Sequence, residues 1–130
     1  MGRKNILIVD DEKDVLTVLE KGLTAEGYSV ITASNGDEAI DLAKSKHPDI
    51  VILDVLMPGM DGGEVAMKLK DSPETKNIPI VFLTGMFPER KESEDFRMVA
   101  DHVLFEKPYD ILKLTNVIEN IFLEKQISFK

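Results

Sequence analysis

Acidic, hydroxyl-bearing and basic side chains stand at the ends of separate apolar runs in this chain. Asp10 and Asp11 follow the first run, and Asp54 follows the third. Thr84 follows the fourth run, and Lys107 comes after the fifth. Open α/β sheets bind ligands at the carboxyl ends of their strands. We therefore expect these side chains to converge on one pocket if the first and third runs are neighbouring strands.

Three carboxylates in one pocket predict a metal ion. Like charges a few ångströms apart repel by roughly 4 kcal/mol at an effective dielectric near 20. A divalent cation removes that cost, and Mg²⁺ prefers oxygen ligands, among them one or two carboxylates and several waters. Asp10, Asp11 and Asp54 therefore predict a site for Mg²⁺ (or Mn²⁺) with no histidine or cysteine nearby.

The same pocket can accept a phosphoryl group. A carboxylate beside a divalent cation can attack phosphorus, because the metal screens the repulsion between two anions and stabilises charge that grows in the transition state. Asp54 is the predicted nucleophile. The Lys107 ammonium can pair with one phosphoryl oxygen, and the Thr84 hydroxyl can donate a hydrogen bond to another.

Each of these residues taken alone has a more ordinary interpretation. An Asp after a strand is more often a helix cap or a turn residue, and a single lysine is more often a surface side chain. The combination favours the chemical interpretation, because capping does not explain carboxylates, a hydroxyl and a lysine at the ends of successive runs.

The elements that must position these residues alternate between β-rich runs and segments of helical period. This alternation predicts an α/β fold with a parallel sheet and helices on both faces. The predicted strands are Asn5 to Val9, Tyr28 to Ala33, Ile50 to Leu53, Ile78 to Leu83 and Val103 to Phe105. Apolar residues at helical spacing predict helices around Leu19, Ala43, Leu69 and Ile118. Gly27 is expected to cap the first helix.

The bulk properties predict one acidic domain. The chain has 130 residues, 43% of them hydrophobic, and we expect a single domain over 1–130, with a core at about 4–124 and a tail or truncated linker at 125–130. The net charge of −8 argues against binding to nucleic acid or to an anionic membrane surface. The absence of cysteine and of any apolar stretch of membrane-spanning length predicts a cytoplasmic protein.

Together these residues resemble the receiver domain of bacterial two-component response regulators, the CheY-like family. The likeness covers roughly residues 4–123. It rests on stretches that fall at successive strand ends in the required order: Ile6 to Glu12, Asn35 to Ala39, Pro48 to Gly62, Ile78 to Gly85 and Glu106 to Pro108. No one stretch would suffice, but their combination is specific.

The resemblance implies a fold and a set of roles. The fold is a doubly wound, five-stranded parallel sheet of the flavodoxin-like type, in the strand order 2-1-3-4-5. Asp54 is the implied phospho-acceptor, and Thr84 and Lys107 are implied to hold the phosphoryl group. The implied metal ligands are Asp11 directly, Asp10 largely through water, Asp54, and Leu56 through its backbone carbonyl.

The implied function is a signalling switch and not an enzyme that turns over a substrate. The phosphoryl group would come from a histidine kinase or a histidine phosphotransfer protein, and the domain itself would catalyse only its own phosphorylation and slow dephosphorylation. Phosphorylation would change the affinity for a downstream protein, which the sequence does not identify.

Two places depart from the family pattern. The family carries an aromatic residue three places before the lysine, which turns inward on phosphorylation, and this chain has Leu104 there. We expect no aromatic rotamer switch, since the adjacent Phe105 points to the opposite face of the strand. The segment from Met86 to Asp101 contains a charged run and predicts the fourth helix only weakly.

Three other functions fit the sequence less well. A phosphatase of the haloacid-dehalogenase type also forms an aspartyl phosphate, but it needs a second Asp where this chain has Leu56. A flavodoxin-like electron carrier would need a hydroxyl- and glycine-rich loop after the first strand, and Asp10-Asp11-Glu12 would repel its flavin phosphate. A degenerate receiver that binds a partner without phosphorylation is disfavoured by the complete set of pocket residues.

Overall fold

Six strands and four helices make up the described part of the chain. The computed structural model describes residues 3–55, 57–84, 96–99, 102–106 and 111–127. The strands are β1 (Asn5–Val9), β2 (Ser29–Ala33), β3 (Ile50–Asp54), β4 (Ile80–Thr84), β5 (Phe96–Val99) and β6 (His102–Glu106). The helices are α1 (Lys13–Ala25), α2 (Gly36–Lys46), α3 (Gly62–Asp71) and α4 (Ile111–Ile127). None of these described helices is long and apolar enough to cross a membrane.

The strands form one sheet in the order β2-β1-β3-β4-β6-β5. β1 pairs in parallel with β2 and β3, and β4 pairs in parallel with β3 and β6. This arrangement confirms the predicted order 2-1-3-4-5, with β6 as the fifth predicted strand. The alternation of strands and helices along the chain produces it, because two parallel neighbours must be joined by a crossover connection.

The antiparallel strand β5 lies in the segment where the weakest helix was expected. Of the residues from Met86 to Asp101, the structure describes 96–99, and these pair antiparallel with β6. These four residues are therefore a strand and not part of a helix. They include Phe96 and Val99, which favour strands, and pairing with β6 outweighs a weak helical pattern. Residues 85–95 and 100–101 lie outside the described part.

Side-chain alternation along the central strands divides the core between the two faces of the sheet. Successive residues of a strand point to opposite faces. Ile6 and Ile8 pack in the cluster that includes α1 and α4, whereas Leu7 and Val9 pack in the cluster that includes α2 and α3. All four residues are fully buried. This burial is typical of a strand covered by helices on both sides.

Short polar side chains define where two helices begin. The Asn35 side-chain oxygen accepts a hydrogen bond of 2.9 Å from the Glu38 amide and caps α2. The Asp61 carboxylate accepts a hydrogen bond of 2.9 Å from the Glu64 amide and caps α3. Gly27, with a φ of 99°, follows the end of α1 and confirms the predicted C-terminal glycine.

A hydrogen bond and a close packing contact add to the core packing that holds α4 against the rest of the fold. The hydroxyl of the buried Tyr28 donates a hydrogen bond to the Glu119 carboxylate. Burial of the ring and this hydrogen bond raise the pKa of Tyr28. At the start of α4, Ile111 packs on Gly22 of α1, where an added Cβ atom would lie 2.7 Å from Ile111 Cδ1. The last helix is thus tied to α1 and to the residue that precedes β2.

Candidate functional site

Strands β1, β3 and β4 end side by side. Val9 in β1 pairs with Leu53 in β3, and the next residues along the two strands are Asp10 and Asp54. β3 in turn pairs with β4, whose last residue is Thr84. The register therefore brings three of the sequence-predicted site residues to the same edge of the sheet.

Two carboxylates at this edge are buried. Asp10 is 0% exposed and Asp54 is 4% exposed, and they are the only buried acidic side chains among the residues whose burial the structure describes. The Asp10 amide donates a hydrogen bond of 3.1 Å to the Ala33 carbonyl oxygen, which extends the pairing of β1 with β2. The Asp10 carboxylate accepts a hydrogen bond of 2.9 Å from the Glu12 amide. Burial of an ionised carboxylate is costly unless hydrogen bonds or a cation balance it.

An acidic group surrounds the end of β1. Asp10, Asp11 and Glu12 each place a carboxylate oxygen within 4.8 Å of the other two. Asp11 and Glu12 are exposed and Asp10 is buried, so the group reaches from the interior to solvent. Glu12 is not among the predicted site residues, although it stands in the same acidic run as Asp10 and Asp11. Asp54 lies on the adjacent strand, outside this three-residue group.

The donor atoms at the end of β1 fit a hard divalent cation. Carboxylate oxygens are the ligands that Mg²⁺ prefers, and the ion commonly keeps several waters. Unit charges 4.8 Å apart repel by about 3 kcal/mol at an effective dielectric near 20. Three carboxylates this close to one another, next to the buried Asp54, therefore favour the binding of a cation.

The chain folds back on itself directly after Asp54. The Val55 amide donates a hydrogen bond of 3.0 Å to the Leu83 carbonyl oxygen, and the Gly62 amide donates one of 2.9 Å to the Val55 carbonyl oxygen. A Cβ atom on Gly62 would overlap the Asp54 carbonyl oxygen and lie 2.9 Å from the Val55 Cα atom. Glycine at this position is what allows α3 to begin so close to Asp54.

The described structure covers the remaining predicted site residues only in part. Thr84 pairs through its backbone with Glu106, the last residue of β6. Lys107 is the next residue of the chain, and both Lys107 and Leu56 lie outside the described residues. The backbone of Leu104 lies in β6. The ends of β4 and β6 are therefore neighbours at the same edge as Asp54.

Proteins of one family resemble this chain in sequence. Residues 6–119 match the family model of the response regulator receiver domain. The response regulator PleD of Caulobacter vibrioides is 51% identical over 81 residues, which are 62% of this chain and 18% of PleD. The alkaline phosphatase synthesis transcriptional regulatory protein PhoP of Bacillus subtilis is 34% identical over 125 residues, which are 96% of this chain and 51% of PhoP. The chain thus spans about half or less of the length of these curated relatives.

Solved structures of the same family share the fold. The chemotaxis protein CheY4 of Vibrio cholerae has a TM-score of 0.80 and 28% identity, with 92% of this chain and 98% of CheY4 covered. The signal receiver domain of a signal transduction histidine kinase from Syntrophus aciditrophicus has a TM-score of 0.75 and 31% identity, with 90% of this chain and 88% of that domain covered. The likeness therefore extends over nearly the whole chain.

Proposed function

This chain belongs to the response regulator receiver domain family of two-component systems, and on that premise we propose that it accepts a phosphoryl group on Asp54 in a Mg²⁺-dependent reaction. The donor is a histidine kinase or a histidine phosphotransfer protein, and the phosphorylated domain changes its affinity for a downstream protein. The observation that carries the proposal is the pair of buried carboxylates, Asp10 and Asp54, at the ends of adjacent strands.

Asp54 acts as the nucleophile. One of its carboxylate oxygens forms a bond to phosphorus while the bond between phosphorus and the donor imidazole nitrogen breaks, and the nitrogen keeps the electron pair. The exposure of Asp54 is only 4%, which limits the access of water to the acyl phosphate. The domain catalyses its own phosphorylation and only slow dephosphorylation.

Asp10, Asp11 and Asp54, with the backbone carbonyl of Leu56, are the residues that would hold the metal. When bound, Mg²⁺ screens the repulsion between the carboxylate and the incoming phosphoryl group. The hydrogen bond from the Glu12 amide orients the Asp10 carboxylate for this role. The three close carboxylate oxygens at the end of β1 support the assignment.

Thr84 and Lys107 hold the transferred group. The Thr84 hydroxyl donates a hydrogen bond to one phosphoryl oxygen, and the Lys107 ammonium pairs with another. The support for these roles is the backbone pairing of Thr84 with Glu106, which immediately precedes Lys107 in the chain. Thr84 and Glu106 are thus at the ends of strands on the Asp54 side of the sheet.

Transfer from a small phosphodonor tests the proposal. With acetyl phosphate and Mg²⁺, we expect intact-mass measurement to show one added phosphoryl group on the parent and none on Asp54→Asn. Asp49→Asn is a matched control, because Asp49 lies at the opposite end of β3, where it accepts a hydrogen bond from the Asn5 amide at 2.7 Å. This control should be labelled like the parent. Equal labelling of Asp54→Asn and the parent would defeat the assignment, and labelling that persists in EDTA would defeat the metal requirement.

A further inference from the structure

The loop between Asp54 and α3 contacts the start of α2 through one side chain. Met60 of this loop packs on Gly36, the first residue of α2. A Cβ atom on Gly36 would lie 2.7 Å from the Met60 sulfur and 3.0 Å from Met60 Cβ, as well as 2.8 Å from Val65 Cγ2. Gly36 is buried. Met60 therefore occupies space that any side chain at position 36 would fill.

The start of α2 is the rigid side of this contact. The Asn35 side chain accepts a hydrogen bond of 2.9 Å from the Glu38 amide, and the Glu38 carboxylate accepts one of 2.8 Å from the Ser34 amide. The two bonds resemble a capping box, the arrangement that fixes the first turn of a helix. A methionine side chain, by contrast, is unbranched and adaptable. A methyl group added at position 36 would therefore press on Met60, and on Val65 of α3, before it displaced α2.

A displacement of Met60 would reach Asp54. The two ends of the loop are joined by the hydrogen bond of 2.9 Å from the Gly62 amide to the Val55 carbonyl oxygen. The backbone of Gly62 lies against the Asp54 carbonyl with no space for a side chain between them. Close-packed contacts transmit strain and do not absorb it. The position of the loop and the position of Asp54 are therefore linked.

We propose that Gly36 is a positioning residue for the phosphoryl-accepting site. By leaving space for Met60 it fixes the loop that follows Asp54, and through the loop it fixes the carboxylate that takes part in Mg²⁺ binding. The inference rests on the proposed function, which assigns the metal to Asp54 and to the chain just after it. Gly36 itself contacts neither the metal nor the phosphoryl group.

The Mg²⁺ affinity of the unphosphorylated protein tests the inference. In calorimetric titration with magnesium chloride, we expect Gly36→Ala to raise the dissociation constant about tenfold, at the lower end of the range for groups that support metal ligands. Met60→Ala removes the same contact without adding bulk, so it should also weaken binding. Removing the Met60 sulfur relieves the closest of the contacts at position 36 and leaves those with Val65 Cγ2 and the Cβ atom of residue 60. Gly36→Ala should therefore weaken Mg²⁺ binding less in the Met60→Ala background than in the parent.

The position of the loop can also be measured without metal, by NMR. In EDTA, Gly36→Ala should shift the NMR amide resonances of Val55 and Gly62, which an effect confined to α2 would leave in place. Gly22→Ala is the matched control, because its methyl group would meet Ile111 at 2.7 Å on the opposite face of the sheet. We expect this control to lower the free energy of unfolding and to leave the Mg²⁺ affinity unchanged.

Several outcomes would overturn the inference. Parent-like Mg²⁺ affinity in Gly36→Ala, or in Met60→Ala should Gly36→Ala fail to fold, would reduce the contact to a packing role. If Gly36→Ala weakened Mg²⁺ binding as much in the Met60→Ala background as in the parent, the effect would not pass through Met60. If the parent itself failed to bind Mg²⁺, the proposed function would fall together with the inference.

Discussion

The two buried carboxylates should repel each other measurably in the metal-free protein. Asp10 and Asp54 are 0% and 4% exposed and follow paired residues of adjacent strands. Neighbouring strands lie about 5 Å apart. Unit charges separated by about 5 Å repel by about 3 kcal/mol at an effective dielectric of about 20. Neutralising either residue should relieve this repulsion.

A double-mutant cycle with Asp10→Asn and Asp54→Asn isolates the repulsion from the other interactions of each carboxylate. Each single substitution removes the whole repulsion together with the interactions of that residue. The double substitution removes the same repulsion only once. Without Mg²⁺, the double variant should therefore be less stable, by up to about 3 kcal/mol, than the sum of the two single effects predicts.

Urea-induced unfolding at neutral pH, in EDTA and then in saturating Mg²⁺, measures the free energies that the cycle needs. On the proposed function, bound Mg²⁺ would stabilise the folded parent and neutralise the pair, so the coupling should shrink or change sign when the metal is added. A coupling below about 0.5 kcal/mol in EDTA, the level at which distant sites simply add, would refute the reasoning. A coupling that Mg²⁺ leaves unchanged would also refute it.

Two further substitutions test how the fold is held around the site. Tyr28→Phe removes the hydrogen bond to Glu119 and should lower the free energy of unfolding by about 1.5 kcal/mol. Because the pKa of Tyr28 is raised in the folded protein, this contribution is present below the ordinary tyrosine pKa of about 10 and declines above it. A stability difference between parent and variant that stays constant into alkaline solution would contradict the assignment. Gly62→Ala should be destabilised in urea unfolding, because overpacking costs about 1–3 kcal/mol against a gain in helix propensity of at most about 1 kcal/mol. Gly63→Ala is the control, because its methyl group would meet only the Asp61 carboxylate at 3.4 Å. This control should be at least as stable as the parent. Equal stability of Gly62→Ala and Gly63→Ala would show that the close approach at Gly62 is not required.

The central strands could be predicted from the sequence because they are buried on both faces. β1 spans Asn5–Val9, the residues of the first apolar run, and β3 differs from its predicted run only by including Asp54. An apolar run that ends in a carboxylate also marks the edge of the sheet, and this pattern led to Asp10 and Asp54. The strand order came from the family resemblance, because the central runs are too similar in composition to order themselves.

Contacts between distant segments could not be predicted in this way. The spacing of Gly36 and Met60 carries no sign that they touch, because that contact depends on how α2 packs beside the loop after β3. β5 is four residues long, too short for a periodic pattern, and its conformation depends on pairing with β6. Glu12 stands directly before α1, and a carboxylate at a helix start has the more ordinary interpretation of a cap.

The parallel pairing of β1 with β3 means that the two buried carboxylates, Asp10 and Asp54, come from segments far apart in the chain. Asp10 and Asp54 become neighbours only after the chain between them has closed a loop through β2 and α2. Non-local pairing of this kind is slow, because the entropy of loop closure is lost before the contacts form. On the proposed function, a chain still leaving the ribosome, or one whose sheet has opened on heating, lacks the assembled site at which a phosphodonor would react. Phosphoryl transfer, as proposed, would thereby be limited to molecules in which β1 and β3 have paired.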